Sequence, residues 1–167
     1  ILLRRVCDWD LWLRLALIGR VGFVPKVLAH YRLSGAFMPA RLAAAGVQVT
    51  TPYVVNKVFD LAEKLQAGRS WEALRRRSLA RAHFHSALIE YAMGNVERAH
   101  AHLAESASCD AGMYTGKEAE WTQTLADFAV SLYDTFTPPA EASRFLDTFF
   151  SSLPASFQQL RSARRQV

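Results

Sequence analysis

Between positions 8 and 14 the chain places two carboxylates, two indoles and a guanidinium: Asp8, Trp9, Asp10, Trp12 and Arg14, within the stretch CDWDLWLRLALIGR. Those residue types at that spacing suggest a site rather than a core. A carboxylate within hydrogen-bond reach of a hydroxyl can remove its proton as the oxygen attacks an electrophilic centre, which is general-base work. The same residues also have a structural reading: acids in a first helical turn cap free N–H groups and oppose the helix dipole.

The elements that must position these residues can be read from spacing. Leu11, Trp12, Leu15 and Ile18 recur as on one helical stripe, which predicts a helix over 9 to 18 with Asp8 as its N-cap and Gly19 as its stop. The following GRVGFVPKVLAHYRLSG has short β-rich apolar pieces broken by Gly22 and Pro25, which predicts a strand or paired short strands. A helix and strands of this length cannot bury a sheet alone, so they must lean on the rest of the chain.

From Pro39 onward the chain turns rich in Ala, Leu and Arg. Helices are expected at 39 to 46, 51 to 66, 70 to 93, 95 to 107, 116 to 136, 139 to 152 and 154 to 164. The expected fold class is mainly α, a helical bundle carrying a short N-terminal helix-strand remnant, with residues 1–37 as one unit and 38–167 as a helical second domain. Within the latter, Ala87, Gly94, Ala99, Leu103 and Ser106 hold the small and large positions of one tetratricopeptide-like helix pair. No second repeat follows, so a helical hairpin of a bundle is expected and not a solenoid.

The opening stretch resembles the end of the catalytic domain of family 2 glycosyltransferases, the nucleotide-sugar enzymes of GT-A fold. The resemblance runs through Asp8, Trp9, Asp10, Leu11, Trp12, Leu13, Arg14 and Leu15, continues through Gly19, Phe23, Val24 and Pro25, and ends at Tyr31 and Arg32. It covers about a fifth of the chain. It implies that Asp8 is the general base of an inverting transfer from a nucleotide-sugar to a glycan, lipid or other acceptor hydroxyl, as in cell-wall or polysaccharide biosynthesis. Trp9 and Asp10 would then shape the acceptor pocket, the indole offering an apolar face to a sugar ring. Arg14 and Arg32 would hold the carboxylates and the strand. Cys7 stands where such enzymes carry Glu, and Ser34 where they carry His.

The resemblance also implies that a nucleotide-binding half, with the Asp-x-Asp element that holds Mn²⁺ or Mg²⁺ on the donor diphosphate, precedes this segment in a parent enzyme. Asp8-Trp9-Asp10 has that spelling but sits at a helix start, so no metal site is assigned here and no cofactor is expected in this chain, which alone should be catalytically silent. The competing reading is a helical protein-protein interaction module without catalysis.

The net charge of +5 is carried largely by arginine: residues 4 to 32, Arg75, Arg76 and Arg77 with Arg81, and Arg161, Arg164 and Arg165. Such clusters suit a solvated face, a protein partner or an anionic membrane surface. Without a helix-turn-helix or aromatic platform, nucleic acid is not an expected partner. Cys7 and Cys109 form no CxxC pattern, and no apolar run reaches the length of a membrane span. A cytoplasmic chain is therefore expected, peripheral at most to the inner face of the membrane. His83 with His85 and His100 with His102 face one another across the expected hairpin. A spacing of two turns the members of each pair about 200° apart, so at most one of each can look inward, too few for a zinc site.

Overall fold

The computed structural model describes residues 6–30, 46–66, 68–115, 139–155 and 157. These form helices α1 (Cys7–Ile18), α2 (Val47–Leu65), α3 (Glu72–Ala92), α4 (Val96–Cys109), the single turn α5 (Gly112–Thr115) and α6 (Pro139–Ser151). The expected helix over 39 to 46, apart from Gly46, the expected helix over 116 to 136, the end of the chain beyond 157, and Tyr31, Arg32 and Ser34 lie outside the described residues.

The centre of the fold is the α3–α4 hairpin. Gly94, at φ 79°, takes the left-handed conformation that lets the chain reverse within three residues. The turn closes by hydrogen bonds from Gly94 N–H to the Tyr91 carbonyl and from Asn95 N–H to the Glu90 carbonyl, both 2.9 Å. Close approach follows from small residues: Ala80, Ala87, Ala99 and Ser106 are fully buried between the helices. Ser106 Oγ donates to the Ala80 carbonyl at 2.6 Å and accepts from Tyr114 Oη at 2.7 Å, tying α3, α4 and α5 together. Burial pushes the Tyr114 phenol well above its ordinary range.

Around this hairpin, α6 supplies aromatic packing. Phe149 is fully buried and meets the edges of Tyr91 (4.9 Å between ring centres) and Phe84 (6.0 Å). On the other side α2 packs on α3, and α1 packs on α2. Arg75, in the first turn of α3, clamps the α2–α3 interface: its guanidinium reaches Asn56 Oδ1 (2.9 Å) and Asp60 (2.8 Å), with Glu63 at 3.5 Å. Arg76 donates to the Cys109 carbonyl at 2.9 Å. Two members of the arginine run are thus tied to neighbouring helices, Arg75 largely buried and Arg76 exposed.

Two sequence expectations need correction. Residues 20–30 form no strand; they are irregular and exposed, with Val21 82% and Phe23 88% accessible. The physical reason is local: Pro25 offers no N–H to a ladder, and the Lys26 N–H folds back onto the Val24 carbonyl at 2.8 Å, a three-residue turn around that proline. The second concerns the face of α1. Its buried side is Val6, Trp9, Asp10, Leu13 and Leu17, whereas the stripe of Leu11, Trp12, Leu15 and Ile18 is exposed.

Candidate functional site

Helix α1 begins two residues earlier than its acids suggest. Val6 occupies the N-cap position without a side-chain cap, and its carbonyl accepts the first helical hydrogen bond from Asp10 N–H (2.9 Å). Asp8 lies inside the first turn and not at the cap; its Oδ1 accepts the Trp9 N–H at 2.8 Å, satisfying one of the free amides of the helix start. Asp8 and Asp10 both lie in that first turn. Gly19 ends the helix, its N–H bonded to the Leu15 carbonyl.

The two carboxylates have opposite environments. Asp8 is exposed. Asp10 is buried, with 4% of its side chain accessible, and lies between two cations: Arg14 Nη2 at 2.9 Å from Oδ2, and Lys57 Nζ at 3.0 Å from Oδ2 and 2.9 Å from Oδ1. Oδ1 has Lys57 as a charge partner but receives no well-aligned hydrogen bond. Lys57 comes from α2, 47 residues away, so this ion pair is what fastens α1 to the helical body at its polar end. Lys57 also borders an open cleft of ≈ 350 Å³ on α2 lined by Tyr53, Asn56, Asp60, Leu61 and Lys64.

Trp9 and Trp12 are separated in the same manner. Trp9 is partly buried against both core clusters, the second built from Val55, Phe59 and Ala82. Trp12 is 62% accessible. On a helix of about 100° per residue, Trp12 and Leu15 lie within about 40° of Asp8, whereas Trp9 and Asp10 point to the far side. Of the residues singled out in the sequence, the fold therefore brings Asp10 and Arg14 together and leaves Asp8 beside the Trp12 row. Arg32 is outside the described residues. Lys57 was missed by sequence reasoning; its signal was a lone cation in the apolar run PYVVNKVF.

One histidine from each pair meets across the hairpin, His83 and His102, with Nδ1 atoms 3.3 Å apart. All four histidines are partly buried, and His100 Nε2 is buried without a hydrogen-bond partner, so a spacing of two does not turn the second member of either pair out to solvent. Burial drives the His85 pKa down to about 4. Among the described residues no three His, Cys, Asp or Glu converge on a point where a metal ion could sit. Asp8 and Asp10 do not fit a divalent cation either: one faces solvent, and the other is already neutralised by Arg14 and Lys57. Among the described residues, no helix is long and apolar enough to cross a membrane. Neither family models nor curated proteins nor solved structures give a match to this chain.

Proposed function

We propose that this chain is the C-terminal part of a family 2 glycosyltransferase, in which Asp8 is the general base that deprotonates the acceptor hydroxyl. One observation carries the reading: Asp8 stands exposed at the N-terminal end of an exposed apolar row, Leu11, Trp12, Leu15 and Ile18, on a helix whose opposite side is already packed. A helix apolar on both faces is one made to be covered on both. The row and the apolar residues after Gly19 suit the back of a catalytic α/β layer, with Asp8 at its edge.

Within this reading the carboxylates divide the work. Asp8 takes the proton. Asp10 is a positioning residue that fixes the helix through Arg14 and Lys57. Trp12, sharing a face with Asp8, supports the role of apolar platform for the acceptor sugar better than the inward-packed Trp9. Donor diphosphate and its Mn²⁺ or Mg²⁺ would be held by the parent's nucleotide-binding half. The location that goes with this chemistry is cytoplasmic, at the inner face of a membrane.

The test is Asp8→Asn in the parent enzyme. Turnover is expected to fall by about two to four orders of magnitude, the size of a general-base contribution, with an unchanged melting temperature. Near-normal turnover would return Asp8 to a helix-start role. The exposed row also favours a second reading, a helical module whose Trp12 face binds a protein partner without catalysis. In that case Trp12→Ala abolishes partner capture while Asp8→Asn changes nothing.

A further inference from the structure

The α3–α4 hairpin carries a side-chain pair that the glycosyl-transfer reading does not use. His83, from α3, and His102, from α4, approach with Nδ1 atoms 3.3 Å apart and rings tilted by 36°. Two neutral imidazoles can share that gap as one hydrogen bond, but only if one Nδ1 carries a proton and the other does not. A second arrangement puts the proton of each ring on Nε2 and turns both Nδ1 lone pairs into the same space.

Two histidines are too few to close a zinc site, but they suffice for an open one, and we propose that His83 and His102 form a two-histidine, water-completed site for a borderline transition-metal cation, Zn²⁺, Ni²⁺ or Cu²⁺, which clips α3 to α4. Two nitrogens bound to Zn²⁺ at about 2.0–2.1 Å and subtending a tetrahedral angle stand roughly 3.3–3.4 Å apart. The observed separation therefore matches one edge of a metal tetrahedron without movement of either helix.

The surroundings favour a cation. Glu105, one turn beyond His102 on α4, pulls positive charge toward both rings, and Glu90 of α3 does so for His102. Burial opposes protonation of both rings, and for His83 the neighbouring His102 adds to this. A divalent ion can use the carboxylate field that a shared ring proton leaves unspent. Because no third protein ligand converges among the described residues, water completes the coordination shell and the site is exchangeable. Imidazole selects against Mg²⁺ and Ca²⁺, and the affinity order runs with Cu²⁺ above Ni²⁺ and Zn²⁺.

The experiment is calorimetric titration of the EDTA-stripped, dialysed chain with Zn²⁺, Ni²⁺, Cu²⁺ and Mg²⁺ at pH 7.5, with the histidine side-chain ¹⁵N signals followed by NMR. One Zn²⁺ per chain is expected, with shifts at the Nδ1 atoms of His83 and His102 and a rise in melting temperature that EDTA reverses. His83→Gln and His102→Gln should each weaken binding at least tenfold, while His100→Gln leaves it within twofold. Circular dichroism of each variant separates lost ligation from lost folding, and the NMR signature in the unmodified chain decides the matter if a variant unfolds. No saturable Zn²⁺ binding, equal binding of Mg²⁺, or Zn²⁺ retained by the His83→Gln, His102→Gln double variant would overturn the proposal.

Discussion

Replacing Asp10 by Asn separates the carboxylate that anchors α1 from Asp8, the one proposed as general base. The substitution keeps the side-chain shape, removes the negative charge, and leaves Arg14 and Lys57 facing an amide. Deleting one partner of a fully buried ion pair costs about 3–5 kcal/mol, and deleting one of an exposed pair costs roughly 0–1 kcal/mol. Here only the anion is buried: 4% of the Asp10 side chain is accessible, against 43% for Arg14 and 39% for Lys57. The abandoned cations can turn into water, so the loss should fall between the two limits, at about 2 kcal/mol. For a chain of this size that is a drop of about 4–8 °C in melting temperature. Asp8→Asn, at an exposed position, should stay within about 0.5 kcal/mol. Urea unfolding followed at 222 nm measures both, and a double-mutant cycle with Lys57→Met should give a coupling on the order of 1 kcal/mol. Equal losses for Asp8→Asn and Asp10→Asn, or none for Asp10→Asn, would refute the division of roles between the two acids.

Arg75→Ala should loosen α2 from α3 and cost about 1–2 kcal/mol by the same assay, because the lost guanidinium is mostly buried and binds Asn56, Asp60 and Glu63 together. Ser106→Ala leaves the buried Tyr114 hydroxyl without its acceptor and should cost about 1–3 kcal/mol, and adding Tyr114→Phe should recover part of that loss. Cys109 gives a pH-dependent readout. Burial raises its thiol pKa, so below that value the thiolate is scarce and alkylation slow. Iodoacetamide should therefore label exposed Cys7 first, with Cys109 catching up as the pH rises above 9 and at once on unfolding; equal rates at pH 8 in the folded chain would contradict this.

What the sequence made legible was local. The α3–α4 hairpin could be read because its small residues and its Gly94-Asn95 turn sit within one short stretch. The buried face of α1 could not be read, because the helix is apolar around most of its circumference and the stripe rule selects the richer side. The richer side, Leu11, Trp12, Leu15 and Ile18, proved to be the exposed one, and what decides between the sides is contact with α2 and α3. Lys57 lies 47 residues from Asp10, a pairing that no periodicity reports. The expected strand failed on local grounds: β-rich composition supplies side chains for a sheet, but Pro25 withholds a ladder donor and the Lys26 N–H turns back onto the Val24 carbonyl.

The ion pair and the exposed row are parts of one arrangement. Rotation of α1 about its axis is the freedom that determines which of its residues meet solvent, and apolar contacts alone fix that rotation poorly, since either face could bury Leu and Trp. A charge is less tolerant. Asp10 can be buried only where Arg14 and Lys57 neutralise it, so the Lys57 contact selects one rotation. Residues two apart on a helix point about 200° from one another. Holding Asp10 inward therefore turns Asp8 outward, with Trp12 and Leu15 on the same side. If Asp8 is the base, Lys57→Met in the parent enzyme should lower turnover without touching substrate, by letting α1 rotate, and the loss should be smaller than that of Asp8→Asn. A Lys57→Met loss equal to that of Asp8→Asn would place Lys57 in the chemistry itself, on the cleft it borders along α2.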